Sequence, residues 1–219
     1  MNLALNPAEN NIFFIALRCS VDLENHFMLK NRYHLWKNVV DSISSEEKKV
    51  KVFEIGVWKG DFALHILSKC ENIEKYFLID PWRNLEDWNK PFNVPDSKFN
   101  EVYNQARKRL LPFEDKTIFL RGKTDEVIDE IDDNSIDFGY IDGDHTAKGI
   151  TSDLLLSFPK IKRQGILGGD DYVEDIFHHD RDIYDPTMVK PVVDGFVLAK
   201  KKEIASFIGN ENQFLIQKD

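Results

Sequence analysis

The stretch VFEIGVWKGDFA, residues 52–63, decides the fold of this 219-residue chain. Its apolar run ends in Glu54 and is followed by glycines and an apolar helical pattern, which is typical of a strand, a turn and a helix. An open parallel sheet binds its ligand at such turns. Gly56 would let the backbone approach a ligand, and Gly60 would open a helix whose free N–H groups face the same crevice. Because the pattern is ExGxxxG, it does not meet the GxGxxG fingerprint of dinucleotide-binding sites.

Short apolar runs alternate with helical patterns from about residue 50 to about residue 200. The predicted strands are residues 51–55, 76–79, 117–120, 136–141 and a run around 166–167. The predicted helices lie around residues 60–70, 97–110, 123–130, 147–158 and 188–202. Two final runs, EIASFIG and NQFLIQK, flank the turn-forming residues NEN and predict an antiparallel hairpin. The pattern indicates a single α/β domain with five parallel strands followed by a hairpin.

The first 48 residues have apolar positions at helical spacing, which predicts two helices before the first strand. One set of positions is Ile12, Ile15, Ala16 and Cys19, and the other is Phe27, Leu35, Val39 and Val40. We therefore divide the chain into an N-terminal helical extension, residues 1–48, and the α/β domain, residues 49–219.

Composition narrows the choice of partners. A formal charge of -9 argues against a nucleic-acid or anionic-membrane surface, since both require clustered Lys and Arg. The two cysteines, Cys19 and Cys70, lie in apolar patterns without a CxxC motif, which predicts buried, reduced thiols. The run IFFIAL is too short for a signal peptide or a membrane span. We expect a cytoplasmic protein whose partner is a small molecule, and which can form a homo-oligomer through its N-terminal helices.

Aspartates follow three of the predicted strands. Asp80 ends YFLID, and the stretches IDGDH, residues 141–145, and GGDDY, residues 168–172, end two further runs. An acid in the position of Asp80 can accept hydrogen bonds from the ribose hydroxyls of a nucleoside, or can simply form a turn. Because the carboxyl ends of parallel strands share one edge, the aspartates of IDGDH and GGDDY should be neighbours.

Such a group of like charges needs an explanation, because carboxylates packed together repel unless a cation, a proton or an Arg offsets the charge. A divalent metal is the simplest one, and oxygen ligands favour Mg2+ or Mn2+ over zinc. Two alternatives are aspartates that only form turns and caps, and an acidic pocket for a cationic or polyhydroxylated substrate.

The ExGxxxG turn and the acid after the second strand resemble the class I S-adenosylmethionine-dependent methyltransferases. EIGVWKG resembles the turn of the macrocin O-methyltransferase group, which methylates sugar hydroxyls in natural products, and VVDGF at residues 192–196 is similar to its late helix. The similarity runs from about residue 50 to residue 217. It implies a Rossmann-like methyltransferase fold, with a mostly parallel seven-stranded sheet in the order 3-2-1-4-5-7-6 flanked by helices.

The resemblance also implies roles for individual residues. The residues expected to bind S-adenosylmethionine are Glu54, Gly56, Gly60, Asp80, Gly122, Thr124 and Asp142. In metal-dependent sugar methyltransferases an Asp after the fourth strand and an Asp pair after the fifth hold the cation, which corresponds to Asp142, Asp170 and Asp171. Asp144 is similar to the acid proposed there as general base. A metal on the acceptor hydroxyl would lower its pKa while that carboxylate takes the proton.

One part of the motif departs from that group. The macrocin enzymes tend to have DGDxYEST, whereas this chain has DGDHTAKG, which is closer to a broader set of methyltransferases with DGxH. The catalytic base is therefore Asp144 or His145, the latter with an unperturbed pKa near ~6.5.

Two other functions compete with methyl transfer: different metal-dependent chemistry on the same fold, and a nucleoside-binding sensor. Two stretches without periodicity, residues 82–96 and 178–186, predict long surface loops. Acceptor specificity is expected in residues 1–48, 82–96 and 173–190.

Overall fold

The computed structural model describes residues 13–16, 31–177, 179–210 and 212–219. The described strands are β1 Phe13–Ala16, β2 Val50–Ile55, β3 Ile73–Asp80, β4 Thr117–Arg121, β5 Ile136–Ile141, β6 Ile161–Tyr172, β7 Ile204–Asn210 and β8 Asn212–Lys218. The described α-helices are α1 Arg32–Ile43, α2 Asp61–Lys69, α3 Asp96–Leu110, α4 Thr124–Val127, α5 Ala147–Ser157 and α6 Val189–Ala199. Short 3-10 turns follow α3, α4 and α5 at Leu111–Phe113, Ile128–Glu130 and Phe158–Lys160. The predicted alternation of strands and helices is confirmed.

All of these strands join one sheet in the order β1-β7-β8-β6-β5-β2-β3-β4. The pairs from β4 through β3, β2 and β5 to β6 are parallel, whereas β8 pairs antiparallel with both β6 and β7. Counted from β2, this is the predicted order 3-2-1-4-5-7-6 with the predicted hairpin at its end. β1 adds a further antiparallel strand at the edge formed by β7.

The prediction for the N-terminal residues was partly wrong. Residues 13–16, expected in a first helix, pair as a strand with residues 206–209 of β7. A short apolar run does not distinguish a helix from a strand by its spacing, and the open edge of the hairpin offers a backbone partner. The second predicted helix is confirmed as α1, in which Leu35, Val39 and Val40 are buried. Ile12, Cys19 and Phe27 lie outside the described residues, and the boundary between residues 48 and 49 stays a prediction.

Apolar layers cover both faces of the sheet. Adjacent residues of β2 point to opposite sides, so that Val52 packs in the layer that contains Trp36 of α1, and Phe53 in the layer that contains Leu154 of α5. Each large side chain buried in these layers contributes roughly 1.5–3 kcal/mol of transfer free energy. Gly139 of β5 is a close-packing position, since a Cβ there would lie 2.2 Å from the ring of Phe53. The packed layers fix the strand ends on which the site is built.

The long loops and Cys70 agree with the sequence. Residues 81–95 and 179–188 form no helix or strand, and the predicted loop over His178 lies partly outside the described residues. Cys70 is buried and free, as expected. Within the described part of the chain, no helix has the length and apolar character needed to cross a lipid bilayer.

Candidate active site

The carboxyl ends of the central strands are tied together by backbone hydrogen bonds. Asp142 N donates to Ile55 O over 2.7 Å, and Gly56 N donates to Ile79 O over 2.9 Å. Gly56 has a φ of 87°, and a Cβ at this position would lie 1.9 Å from the carbonyl oxygen of Asp142. Only glycine can therefore occupy this turn, which brings the end of β2 against the end of β5.

A cavity of about 690 Å³ lies at this edge of the sheet. Ten of the eleven predicted site residues line it: Glu54, Gly56, Asp80, Gly122, Thr124, Asp142, Asp144, His145, Asp170 and Asp171. The structure thus brings the proposed donor residues and the acidic residues into one concave space, as ligand sites in such sheets require.

Gly60 is not among the residues that line the cavity. It has a φ of 73° at the start of α2, and a Cβ would lie 3.1 Å from Cδ1 of Leu110 and 3.7 Å from Cβ of Ala106. Gly60 therefore lets α2 begin close to α3, and its contact with the donor stays a prediction.

Asp80 is buried, and both of its carboxylate oxygens accept backbone hydrogen bonds. Trp58 N donates to Oδ2 over 2.9 Å and Trp82 N donates to Oδ1 over 2.7 Å. Burial raises the pKa of Asp80 to about 6, although these N–H groups oppose the shift. Each oxygen retains acceptor capacity for a ligand hydroxyl. Asp80 thus shapes the turns beside the cavity and can also accept from a ribose.

The two tryptophans that flank this crevice differ in environment. Trp82 is fully buried, and its Nε1 donates to the carbonyl of Trp58 over 2.8 Å, so Trp82 is an anchor. Trp58 lines the cavity and packs edge-on against Phe92, with ring centroids 5.5 Å apart. Trp58 is therefore the one of the pair that faces the cavity.

Glu54 is the buried acid at the end of β2. Its Oε2 accepts a hydrogen bond from the hydroxyl of Tyr76 over 2.7 Å. Burial raises the pKa of Glu54 well above its ordinary value. The hydrogen bond from Tyr76 lowers this pKa, but by less than burial raises it. A cationic group of a ligand placed beside Glu54 would therefore find a carboxyl with little solvent around it.

The three carboxylates of Asp142, Asp170 and Asp171 form what we call the acidic cluster. A cation that the sequence analysis did not predict, the guanidinium of Arg32, lies among them. Nη1 of Arg32, the first residue of α1, lies 3.0 Å from Oδ2 of Asp142 and also donates to Oδ2 of Asp170. The other oxygen of Asp170 accepts from Nε2 of Gln213 on β8. Burial raises the pKa of Asp170 to about 6, and the nearby charge of Asp142 adds to this while Arg32 opposes it.

His145 lies between the other two carboxylates. Its Nδ1 is 2.6 Å from Oδ2 of Asp171, and its buried Nε2 is 3.4 Å from Oδ1 of Asp142. Burial by itself lowers the pKa of His145, but the contacts with the two aspartates outweigh burial and raise it to about 10. The two aspartates therefore favour the protonated form of His145.

Asp144 holds the start of α5. Its Oδ1 accepts from the backbone N of Thr146 over 2.9 Å, and its Oδ2 accepts from the Thr146 hydroxyl over 3.1 Å. The same hydroxyl accepts from Gly149 N over 3.1 Å and caps the helix. Asp144 lies in the cavity lining with no described cation on its oxygens. Of the two predicted bases, it is the one with a carboxylate available to a ligand.

The predicted magnesium ligands do not form one set. Among the described residues, the group whose ligand atoms lie within 4.8 Å of one another is Asp142, His145 and Asp171. Asp170 is not in this group, and its two oxygens accept hydrogen bonds from Arg32 and Gln213. Mg2+ takes oxygen ligands almost exclusively, and here one of three would be an imidazole nitrogen that already faces carboxylates. The donor set therefore does not fit the three-carboxylate magnesium site that was predicted.

Comparison with known proteins places this geometry in a family. A family model described as "Methyltransferase domain" matches residues 53–172, which is more than half of the chain. No curated protein sequence matches the chain.

Three solved structures share the fold at low sequence identity. One, from Staphylococcus aureus and provisionally described as a caffeoyl-CoA O-methyltransferase, has a TM-score of 0.63 and 16% identity over 91% of this chain and 93% of that one. A Bacillus cereus O-methyltransferase in complex with SAH (S-adenosylhomocysteine) has a TM-score of 0.61 and 11% identity over 90% and 85%. The O-methyltransferase NovP has a TM-score of 0.59 and 14% identity over 90% and 78%. With this fold and a family match over most of the sheet, the chain belongs to the class I S-adenosylmethionine-dependent methyltransferases.

Proposed function

We propose that this enzyme transfers a methyl group from S-adenosylmethionine to a hydroxyl group of a small molecule, with a sugar as the leading acceptor class. The observation that carries this proposal is that the Gly56 turn and the acidic cluster line one and the same cavity. Its volume of about 690 Å³ suits a small molecule rather than a macromolecule. The carboxylates that line the cavity at the ends of β5 and β6 suit a polyhydroxylated acceptor, whose hydroxyl groups can donate to them.

The donor half of the cavity is formed at the ends of β2, β3 and β4. The Gly56 turn allows close approach, and Asp80 offers oxygens to ribose hydroxyls. Gly122 and Thr124, after β4, line the next part of the cavity, and the resemblance makes both of them donor-binding residues. S-adenosylmethionine supplies an electrophilic methyl group on a positively charged sulfur, and the carboxylate of Asp142 suits that charge.

The acceptor half lies at the ends of β5 and β6. The acceptor oxygen forms the new carbon–oxygen bond while the donor's carbon–sulfur bond breaks with its electron pair on sulfur, and the hydroxyl proton passes to the base. We assign the base to Asp144, because both ring nitrogens of His145 already face Asp171 and Asp142. In-line placement of oxygen, carbon and sulfur by the two halves of the cavity supplies much of the rate enhancement.

Calorimetric titration with S-adenosylmethionine and SAH, followed by a screen of hydroxylated acceptors with labelled donor, tests the function. We expect SAH to bind and a hydroxylated acceptor to become labelled. Lack of SAH binding would contradict the proposal, and binding without turnover on any hydroxylated acceptor would favour a sensor.

Two matched variants test the assignment of the base. Asp144→Asn should bind SAH like the wild type and lose methyl transfer by about 10²–10⁴-fold, the usual contribution of general base catalysis. His145→Gln should retain more activity than Asp144→Asn. The reverse order would assign the base to His145.

A further inference from the structure

Arg32 has a position that neither the fold nor the proposed reaction explains by itself. It is the first residue of α1, and yet its guanidinium reaches Asp142 after β5 and Asp170 in β6. These are two of the three residues predicted to hold a divalent cation. The guanidinium therefore lies among the oxygens with which a metal ion would have to bond.

The helix that carries Arg32 is fixed at its start and on its buried face. Asn31 caps α1 by accepting hydrogen bonds from Tyr33 N over 3.0 Å and His34 N over 3.4 Å. Trp36, one turn after Arg32, is fully buried and stacks on Phe138 at 5.2 Å between ring centroids. The guanidinium is thus delivered by a packed helix rather than by a free surface side chain.

A chain of hydrogen bonds connects the same helix to the second carboxylate. Trp36 Nε1 donates to Oε1 of Gln213 over 2.6 Å, and Nε2 of Gln213 donates to Asp170. A Cβ on Gly168 would lie 2.0 Å from Trp36, so this glycine makes room for the indole directly beside the cluster. Helix α1 therefore positions both Arg32 and, through Gln213, its partner Asp170.

The carboxylates of the cluster already have a cationic partner, Arg32, without an added ion. Three carboxylates, Asp142, Asp170 and Asp171, meet the guanidinium of Arg32 and the imidazole of His145. A divalent cation placed among them would lie within a few ångströms of the guanidinium of Arg32, and the repulsion between the two positive charges costs free energy. Arg32 also lines the cavity, so its charge faces bound ligand.

We propose that Arg32 is the resident cation of the acceptor pocket, which orients the acceptor and offsets negative charge on its oxygen without a divalent ion. This rests on the methyl transfer proposed above. The guanidinium is a planar donor of hydrogen bonds, so it can hold Asp142 and Asp170 and still present positive charge to the cavity. It forms no covalent bond and accepts no proton.

Titration of the full-length protein with MgCl2, MnCl2 and ZnCl2 after chelator treatment tests this assignment. The wild type should show no binding of Mg2+ or Mn2+ at millimolar concentration. Arg32→Met, which retains the aliphatic stem and removes the charge, should bind these ions with affinity higher by on the order of tenfold or more. Arg32→Lys should exclude the ions as the wild type does, which a purely structural role would not require.

Arg83→Met is the matched control, because Arg83 lines the same cavity but pairs with Glu126 away from the cluster. It should gain no metal binding. Stoichiometric binding of any of the three ions to the wild type would overturn the proposal, whether or not Arg32→Met folds. SAH titration of the same samples tests the proposed function separately. Failure of the wild type to bind SAH would contradict methyl transfer, and the metal titrations would still decide whether Arg32 excludes a divalent ion.

Discussion

Asp153 of α5 is a buried carboxyl group in the cavity wall that no sequence motif marked. Its Oδ1 accepts a hydrogen bond from the Thr124 hydroxyl over 2.6 Å. Burial raises the pKa of Asp153 to about 7, an effect that Thr124 opposes and the nearby charge of Asp144 increases. A group of this kind links stability to pH near neutrality.

The sign of that link follows from the two pKa values. The unfolded carboxyl titrates near ~3.9 and the folded one near 7, so the protonated form stabilises the fold below the lower value. That contribution is lost as the pH rises toward 7 and stays lost above it. Asp153→Asn keeps an oxygen acceptor for Thr124 and has no charge to bury. We expect this variant to be more stable than the wild type at pH 8 by ~1–3 kcal/mol, with a smaller difference at pH 4.5.

Urea denaturation of both proteins at the two pH values measures the difference, in which the titration of groups that do not interact with Asp153 cancels. Asp115→Asn is a suitable control, because Asp115 is exposed in the loop before β4. An Asp153→Asn protein that is less stable than the wild type at pH 8 would show that the charged form is the stabilised one.

At the scale of elements, Lys90 joins the two long loops that border the site. This buried lysine donates to the carbonyls of Asp185 over 2.8 Å and Pro186 over 3.0 Å. Asn89 next to it donates to the carbonyl of Ile183 over 2.7 Å. The loop after β3 therefore holds the loop after β6, and Met188 N, just beyond, donates to the carbonyl of His145 over 2.7 Å.

Removing the ammonium group should loosen the second loop without unfolding the sheet. Lys90→Met retains most of the buried stem but leaves two carbonyl oxygens unpaired, a cost of about 1–3 kcal/mol for each unsatisfied group. We expect amide hydrogen exchange in residues 183–188 to accelerate by about tenfold or more, with β2 and β5 unchanged. Exchange measured by mass spectrometry on both proteins decides this.

Lys148→Met is the control, because Lys148 is exposed on α5 and lines the same cavity. It should leave exchange in residues 183–188 as it is in the wild type. Equal exchange in the wild type and Lys90→Met would mean that the loop is held by other contacts.

The elements also show what the sequence could predict. β5 has its predicted bounds, residues 136–141, because every residue in it is buried and the apolar run coincides with the strand. β6 begins five residues before its predicted run, since exposed residues 163 and 164 interrupt the apolar pattern and Gln164 has a φ of 62°. Backbone pairing extends a strand through such residues, whereas an apolar pattern does not reveal it.

Arg32 is a more instructive omission. It lies three and four residues before Leu35 and Trp36, which are both buried, so helical spacing places it on the inner face of α1. A charged residue at such a position indicates a buried partner. The sequence could therefore have marked Arg32 as unusual, but its partners are 110 and 138 residues away and depend on the full strand order.

For the whole molecule, the acidic cluster is assembled from distant parts of the chain. Asp170 of β6 contacts Arg32 of α1 and Gln213 of β8, so elements near both ends of the described chain meet at the carboxyl edge of the sheet. The site consequently forms only when the complete sheet has formed. Ligand binding at that edge should therefore stabilise the entire fold.

SAH is the probe for this linkage. At a concentration of 100 times its Kd, a ligand that binds only the folded state adds about 2.7 kcal/mol of stability. For a domain of this size, each kcal/mol shifts Tm by roughly 2–4 °C, so we expect a rise of about 5–10 °C in a thermal melt. Hydrogen exchange should slow most at the turns after β2, β3 and β4, which line the donor half of the cavity. Residues 69–73 and 132–135 lie at the other end of the strands, where β3 and β5 begin. They should show only the increase in protection that follows from the higher global stability. Equal protection at both ends of the strands would place the donor elsewhere than at the Gly56 turn. An unchanged Tm would show that SAH does not bind the folded protein.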